Sequence, residues 1–256
     1  MSQPRLIAVD IGNSATKIGW FGPALAGLPN PEAVHVFPTG SSPPAELAAS
    51  LPRETCQWHV SSVHREGTRI LQEWVRAHRP ADPVRLLTHR DLPIRAAVDF
   101  PDKVGLDRLA AAVAVNVIRE AGRAALLVGA GSAITVNRIS ADGVFEGGAI
   151  LPGFKMQADA LFGGADLLPL ALLVPDDAPP QLLGKNTEAA IRSGLFWGAV
   201  GAVRELIARL SAGLNPQPKL FVTGGDLRQL AAHLEGARFV PNLVLCGIAV
   251  AYKPDA

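Results

Sequence analysis

Short apolar runs alternate with polar, turn-forming segments along the first hundred residues of the chain. Runs of four or five apolar residues between turn-forming residues are typical of buried strands, whereas apolar residues three and four apart are typical of helices. These patterns predict strands at 6–9, 18–21, 33–37, 57–60 and 84–88, and helices at 46–51 and 67–78. Strands that alternate with helices favour a layered α/β arrangement.

The opening segment, R-L-I-A-V-D-I-G-N-S-A-T-K-I-G-W-F over residues 5–21, is the most informative part of this pattern. Its two apolar runs flank a small polar turn, and the first run ends in Asp10. Gly12 and Asn13 tolerate positive φ and therefore turn a chain sharply. We predict a β-hairpin whose turn can hold a phosphate and whose Asp10 can hold an accompanying metal ion. Similar hairpins occur in proteins that bind nothing, so this motif alone leaves both interpretations open.

The same order of strand, small turn and strand returns after a long helix that is predicted over 107–122. This echo of the opening hairpin indicates an internal duplication of one βββαβα unit. We therefore expect two domains, 1–118 and 119–256. The predicted elements of the second half are strands at 124–128, 134–139, 146–152 and 220–223, and helices that begin at 155, 187 and 244.

Composition limits the classes of function. The 256 residues are 48% apolar, which is enough to bury one large core or two ordinary ones. A net charge of +1 gives no electrostatic reason to expect nucleic acid or an anionic membrane as a partner. The chain starts without a signal-peptide pattern and has no membrane-length apolar run, so we expect a cytoplasmic protein. Cys56 and Cys246 form no CxxC pattern and are expected to be buried thiols.

A carboxylate, Asp107, opens the long helix within the sequence Gly105-Leu106-Asp107-Arg108. A carboxylate in the first turn of a helix is stabilised by unpaired N–H groups and by the helix dipole, and this structural role is the simpler interpretation. The alternative is a general base within reach of a substrate hydroxyl, with Arg108 beside it to bind an anion.

Glycine-rich segments recur through the second half of the chain, and each of them alone is also a common turn. The segment 129–135 offers N–H groups and the hydroxyl of Ser132 to a second phosphate. Thr187 follows G-K-N and is placed either to cap a helix or to contact a ligand. Glycines in the T-G-G sequence at 223–225 would let an adenine or a ribose approach the backbone closely.

Taken together, these motifs are far more specific than any one of them. Their order is DxGNS, GxDR, GxGSAIT, GGAILPG, GKNT, TGG and a closing LVLCGI at 243–248. This order resembles that of the type III pantothenate kinases, which are members of the actin/hexokinase/Hsp70-like superfamily. The resemblance runs from about residue 7 to residue 252. It implies two duplicated ribonuclease H-like (actin-like ATPase) domains, each with a mixed β-sheet flanked by helices.

The resemblance also implies an activity and a set of partners. Members of this family phosphorylate pantothenate to 4'-phosphopantothenate with ATP and Mg²⁺, which is the first step of coenzyme A biosynthesis. They need a monovalent cation, K⁺ or NH₄⁺, and they are homodimers. By this resemblance Asp107 is the proton acceptor, Asp10 lies beside Mg²⁺, and Thr187 contacts pantothenate across the dimer or domain interface.

The remaining site residues implied by the resemblance fall into two groups. The ATP-binding group is Asp10, Ile11, Gly12, Asn13, Ser14, Ala15, Thr16, Lys17 and Ser132. The pantothenate-binding group is Gly105, Leu106, Asp107, Arg108 and Thr187.

One position departs from the family pattern. The second phosphate loop usually begins with Asp, as D-x-G-T-A, and this Asp is the expected ligand of the monovalent cation. Here the position is Gly129, and neither its neighbours nor Asn137 carry a charge. Three hypotheses follow: an active pantothenate kinase with an altered cation site, a non-catalytic or regulatory homologue that keeps the ligand-binding fold, and a kinase of the same superfamily for another small alcohol such as a sugar. The GKNT and GGAILPG elements argue against the third.

Overall fold

The computed structural model describes residues 5–22, 27–173, 178–225 and 228–252. The chain divides into two compact units, one formed by Met1–Ile118 with Asn242–Ala256 and the other by Arg119–Pro241. Each unit is built on one five-stranded sheet.

The strands are β1 (Arg5–Ile11), β2 (Ala15–Phe21), β3 (Ala33–Pro38), β4 (Cys56–Ser62), β5 (Val84–Leu86), β6 (Ala125–Ala130), β7 (Ala133–Ile139), β8 (Phe145–Pro152), β9 (Lys219–Thr223) and β10 (Ala237–Phe239). The helices are α1 (Leu47–Ser50), α2 (Arg65–His78), α3 (Leu106–Ile118), α4 (Phe154–Gly164), α5 (Thr187–Ser211), α6 (Arg228–Ala231) and α7 (Leu243–Ala251). Two 3₁₀ turns lie at His89–Asp91 and Pro101–Lys103.

The two sheets have the same strand order. It is β3-β2-β1-β4-β5 in the first unit and, read in the same sense, β8-β7-β6-β9-β10 in the second. In each sheet the first three strands of the unit pair antiparallel, and the fourth and fifth extend the sheet in parallel from the first. The α/β class with duplicated mixed sheets is therefore confirmed.

The first sheet buries both of its faces. Successive side chains of a strand point to opposite faces, and one face of β1 and β4 packs with α1 and α2 in a core that includes Val9, Val60 and Leu71. The opposite face carries Ala8, whose partner in β2 is Gly19. A Cβ on Gly19 would lie 3.1 Å from Leu245 of α7, so this second face is covered by the closing helix. Asp10 belongs to the same face as Ala8.

Backbone contact joins α7 to α3. A Cβ on Gly247 would lie only 1.7 Å from the carbonyl oxygen of Ala110. Only glycine permits this approach. The contact holds α3 at Ala110, which lies one turn after Asp107. Consequently α7 belongs to the first unit, and the prediction that residues 242–256 complete the second domain is wrong. The apolar residues of α7 are buried against the first sheet, far along the chain from the strands they cover.

The second unit has its core between β6, β7 and the helices α4 and α5. Val128 and Val136 lie in this core with Phe154, Phe196 and Val200. The helix predicted over 107–122 ends earlier, at Ile118, where Arg119 turns its guanidinium onto the carbonyl oxygens of Arg123 (2.9 Å) and Ala141 (2.8 Å).

Two further expectations concern thiols and membranes. Cys56 and Cys246 are both free and buried, as predicted, and burial raises the pKa of each thiol to about 11. Among the described residues, no helix combines the length and the apolar character needed to cross a membrane.

We predict that Gly247→Ala destabilises the protein by about 3 kcal/mol or more, because the new methyl group forces α7 away from Ala110. The control is Gly201→Ala in α5, where a Cβ meets nothing within 4 Å. Alanine is favoured over glycine in a helix by up to about 1 kcal/mol, so this variant should be as stable as the parent or more so. Urea unfolding followed by circular dichroism measures both. A Gly247→Ala midpoint equal to that of the parent would contradict the close helix contact.

Candidate active site

Three polar side chains form a row across the first sheet. Asp10 on β1 is the register partner of Lys17 on β2 and of Ser61 on β4. Register partners on neighbouring strands project from the same face of a sheet. The carboxylate therefore lies between an ammonium group and a hydroxyl group, at the ends of the strands. Asp10 and Lys17 are half-buried, whereas Ser61 is only 1% exposed.

A second carboxylate acts on this row from α3. Burial raises the pKa of Asp10 to about 7, and the negative charge of Asp107 adds to this effect, while Lys17 opposes it. A carboxyl group whose pKa is displaced by burial and by a like charge is typical of functional sites. Asp10 and Asp107, which lie nearly a hundred positions apart in sequence, thus interact within one unit.

The spacing of G-x-D-R has a steric reason. Asp107 stands in the first turn of α3, and its Oδ1 lies 2.5 Å from the place of a Cβ on Gly105. Any larger residue at 105 would therefore displace the carboxylate. Burial lowers the pKa of the neighbouring Arg108, and Asp107 opposes this shift. The structure brings Gly105, Leu106, Asp107 and Arg108 together at the start of α3, and their role toward pantothenate stays a prediction.

The hairpin turn is shorter than predicted and has a different cause. β1 runs to Ile11 and β2 begins at Ala15, which leaves only three residues between them. Neither Gly12 nor Asn13 has positive φ, so the predicted conformational reason for the turn is wrong. Instead, the N–H of Gly12 donates to the carbonyl oxygen of Ala15 (3.1 Å). A Cβ on Gly12 would lie 3.2 Å from the same oxygen, so a side chain there would require the turn to shift by a few tenths of an ångström.

The predicted ATP-binding residues of the hairpin therefore differ in how far their side chains are exposed to a ligand. Ile11 is fully buried in the core. Thr16 is 3% exposed, and its hydroxyl lies 3.0 Å from that of Thr39. Asn13 and Ser14 are exposed at the turn. Side-chain contacts with a phosphate are therefore expected from the turn residues and Lys17, whereas the side chains of Ile11 and Thr16 stabilise the fold.

The second unit repeats the polar row without a charge. Gly129 on β6 is the register partner of Thr135 on β7 and of Thr223 on β9, so the duplication puts Gly129 where the first unit has Asp10. A Cβ on Gly129 would lie 3.0 Å from Oγ1 of Thr135. Nδ2 of Asn137 donates to that same hydroxyl oxygen (3.2 Å). Neutral polar groups therefore occupy the space into which a carboxylate would have to fit.

Two glycines enclose the second turn, which contains Ser132. A Cβ on Gly153 would lie 2.4 Å from the carbonyl oxygen of Gly131, and one on Gly224 would lie 2.0 Å from that of Ala130. Gly224 also has a φ of +120°, which favours glycine. The space beside Gly224, where a nucleotide is predicted to approach, is therefore filled by the backbone of Ala130. Apart from its chain neighbours, none of the described residues lies within 4 Å of the place of a Cβ on Gly225.

Thr187 is the first residue of α5 and is exposed. The cap of this helix is Asn186, whose side-chain oxygen accepts a hydrogen bond from the N–H of Ala189 (2.8 Å). The prediction that Thr187 itself caps the helix is therefore wrong, and its contact with a ligand stays a prediction. Gly184 belongs to the same segment for a steric reason, since a Cβ there would lie 2.3 Å from the nitrogen of Ala190.

The donor set suits a hard cation better than a transition metal. Within the described part of the chain, no three His, Cys, Asp or Glu residues are grouped as metal ligands. Asp10 offers carboxylate oxygen atoms, which Mg²⁺ prefers. Mg²⁺ usually keeps several waters and is held by one or two carboxylates together with substrate phosphates, so a single carboxylate fits it.

Comparison with known proteins decides the family. The profile of the type III pantothenate kinases matches residues 6–209. The chain belongs to the type III pantothenate kinase family. A type III pantothenate kinase from Dehalococcoides mccartyi is 30% identical over 261 residues, which cover 97% of each chain. Another from Roseiflexus sp. is 34% identical over 209 residues, which cover 81% of this chain and 80% of the relative.

Solved structures agree with the fold. A Sinorhizobium meliloti protein assigned as a 2-dehydro-3-deoxygalactonokinase matches with a TM-score of 0.55 and 17% identity, covering 96% of this chain and 95% of that one. The activator of the 2-hydroxyisocaproyl-CoA dehydratase from Clostridium difficile matches with a TM-score of 0.50 and 15% identity, covering 96% and 92%. At such identities these proteins share the fold alone with this member of the pantothenate kinase family.

Sequence reasoning missed Ser61. The strand predicted at 57–60 stopped just before it, and a serine pair at a strand end carries no specific signal. In the structure Ser61 and Ser62 are the last two residues of β4, which pairs in parallel with β1. The carboxyl ends of parallel strands meet at one edge of a sheet, where ligands commonly bind.

We predict that Asp10→Asn stabilises the ligand-free protein at pH 8 but hardly at pH 4. The folded pKa of Asp10 is raised, so the stability linked to its protonated form is complete below pH 3.8 and is lost as the pH rises through about 7. The amide avoids this loss, which amounts to at most about 4 kcal/mol. Melting temperatures without Mg²⁺ at the two pH values measure the effect. Asp142→Asn, at an exposed turn, is the control, and a pH-independent gain for Asp10→Asn would contradict the assignment.

Proposed function

We propose that this chain phosphorylates pantothenate to 4'-phosphopantothenate with ATP, the first step of coenzyme A biosynthesis. Family membership over residues 6–209 supports the reaction, as do relatives named type III pantothenate kinase. The structural observation that carries the proposal is that Asp107, at the start of α3, lies near enough to Asp10 of β1 for its charge to add to the effect of burial on the pKa of Asp10. We expect the enzyme to act in the cytoplasm.

The two carboxylates have different tasks in this proposal. Asp10 holds Mg²⁺, which, when bound, neutralises charge on the phosphoryl oxygens of ATP. Asp107 orients the primary hydroxyl of pantothenate and accepts its proton. The hydroxyl oxygen forms a bond to the γ-phosphorus as the bond between that phosphorus and ADP breaks. Arg108, next to Asp107, binds the carboxylate of pantothenate.

The remaining predicted residues complete the site as proposals. Asn13, Ser14 and Lys17 contact the phosphates from the hairpin, and Ser132 contacts ATP from the second turn. The exposed hydroxyl of Thr187 contacts pantothenate. Positioning and charge stabilisation are the main contributions of the protein, because phosphoryl transfer requires little covalent chemistry from its side chains.

The dependence on a monovalent cation is proposed to be weak. In the second unit, Gly129 lies between the hydroxyl residues Thr135 and Thr223, without a carboxylate. Neutral oxygens bind K⁺ or NH₄⁺ less strongly than a carboxylate does, because the Coulomb attraction of a full charge is missing.

A non-catalytic or regulatory homologue is the second candidate, and Gly129 is the observation that favours it. Such a protein would keep the ligand-binding fold without turnover. The presence of Asp10, Asp107 and Arg108 in one unit favours the active kinase instead. Likeness to a sugar kinase fold at 17% identity gives no preference for a sugar substrate.

A homodimer is proposed on the basis of the second unit's surface. Exposed large apolar side chains are concentrated between residues 150 and 183, and Leu167 is 90% exposed. The others in this stretch are Ile150, Met156, Leu161, Phe162, Leu170, Leu172, Leu182 and Leu183. Monomeric proteins rarely expose so many large apolar side chains in one region. We therefore infer that these nine residues, hereafter the apolar stretch, pack against a second copy of the chain.

We predict that the purified protein converts pantothenate and Mg-ATP to phosphopantothenate and ADP, and that Asp107→Asn lowers kcat by about 10²–10⁴-fold. Loss of a general base removes proton transfer but leaves the binding of Mg-ATP within about threefold. Coupled ADP release and mass spectrometry of the product measure the reaction. No phosphopantothenate from the parent protein at any K⁺ or NH₄⁺ concentration would refute the kinase proposal.

We predict that the rate of the double variant Gly129→Asp/Thr135→Ala depends on K⁺ more strongly than the rate of the parent does. Removing the Thr135 hydroxyl opens the space that lies 3.0 Å from a Cβ at 129. Gly129→Asp alone, which must push Thr135 aside, is the matched comparison and should gain less. Rates are measured across K⁺ concentrations at constant ionic strength. An inactive parent with an active double variant would favour the non-catalytic homologue.

We predict a mass of two chains by sedimentation equilibrium. Leu167→Lys/Leu182→Lys, which puts charges into the apolar stretch, should raise the dimer dissociation constant by about 10²-fold or more. Val36→Lys is the control, because Val36 is 58% exposed and lies in the first unit. A parent that sediments as a single chain at all concentrations would rule out the homodimer.

A further inference from the structure

One buried hydroxyl group of the first unit makes no hydrogen bond with the described residues. Oγ of Ser61 is almost completely inaccessible, with 1% of the residue exposed, and it has no hydrogen-bond partner among the described residues. Leaving a buried hydroxyl unpaired is costly, so such groups in folded proteins call for an explanation.

The neighbouring serine shows the contrast. Ser62 lies on the other face of β4, where its hydroxyl donates to the carbonyl oxygen of His64 (3.2 Å) and accepts from Thr68 (2.7 Å). These bonds hold the first turn of α2, so Ser62 has a clear role in the fold. Of these two adjacent serines of β4, Ser62 is therefore hydrogen-bonded and Ser61 is not.

The unbonded serine lies beside Asp10. Ser61 is the register partner of Asp10 in the parallel pair of β4 and β1. The strands are about 4.8 Å apart, and the serine hydroxyl can occupy three staggered positions about χ1. At this spacing, a serine hydroxyl and a carboxylate on neighbouring strands are near enough for a hydrogen bond in a suitable rotamer. Lys17 flanks the same carboxylate from the opposite strand.

We propose that Ser61 is a positioning residue for Asp10. Its hydroxyl donates a hydrogen bond to the Asp10 carboxylate when that carboxylate holds Mg-ATP, so that Ser61 and Lys17 fix the carboxylate from two sides. A hydroxyl kept unpaired in the ligand-free protein is then available for the bound state. This inference rests on the proposed function, because it uses the role proposed there for Asp10.

The test compares Ser61→Ala with Ser62→Ala. Ser61→Ala should keep or raise the melting temperature of the ligand-free protein, because it removes an unpaired buried hydroxyl. It should weaken Mg-ATP binding about 10-fold in calorimetry, because a hydrogen bond to a charged group is lost. Binding of ATP in EDTA and the KM for pantothenate should change less than about twofold. Ser62→Ala should do the reverse, lowering the melting temperature and leaving Mg-ATP binding unchanged.

The outcomes separate this inference from the function on which it rests. A parent that binds neither Mg-ATP nor pantothenate overturns the proposed function and the role of Ser61 together. A parent that binds Mg-ATP, with a Ser61→Ala variant that binds it equally well, overturns the role of Ser61 alone. A lower melting temperature for ligand-free Ser61→Ala, or an equal loss of ATP binding with and without Mg²⁺, also overturns it.

Discussion

The backbone contact between α7 and α3 is the constraint on which the first unit depends. Gly247 lets α7 lie directly against Ala110, which stands one turn after Asp107 in α3. Asp107 is thereby kept close enough to Asp10 for its charge to add to the effect of burial, and together they raise the pKa of Asp10 to about 7. The ionised form of Asp10 therefore destabilises the ligand-free fold, and the positive charge of a bound cation would offset this cost. The helix packing therefore maintains a site that is unfavourable when empty.

The two sheets of this chain differ in the charge that they carry at corresponding positions. Both sheets have the same order and place a row of three residues at the ends of their central strands. In the first unit the middle of the row is Asp10, and in the second it is Gly129. The second row is closed by Thr135 and Asn137 rather than left vacant, so a simple reversion to Asp must displace existing contacts. Of the two rows, only the one in the first unit therefore contains charged residues.

The sequence was sufficient for the fold class, because two hairpins with the same pattern reveal a duplication. Asp10, Asp107 and Arg108 were identifiable as candidates, because G-x-D and D-x-G-N are local patterns with local steric reasons. The unit to which α7 belongs was not predictable, because it depends on contacts between residues far apart in sequence, such as Gly247 with Ala110. The cause of the Gly12 turn was also missed, because φ values follow from the hydrogen bond to Ala15 and not from propensity alone.

In the proposed mechanism Asp10 serves the nucleotide and Asp107 serves the alcohol. Calorimetric titration of Asp10→Asn with each substrate separately distinguishes these two roles. Loss of one full charge at the cation should weaken the binding of Mg-ATP by about 10²-fold, because charged ligands contribute most to such a site. Pantothenate should bind to the same variant as it does to the parent, within about twofold. Undiminished Mg-ATP binding, or an equal loss of both ligands, would contradict the assignment of Asp10 to the nucleotide and of Asp107 to the alcohol.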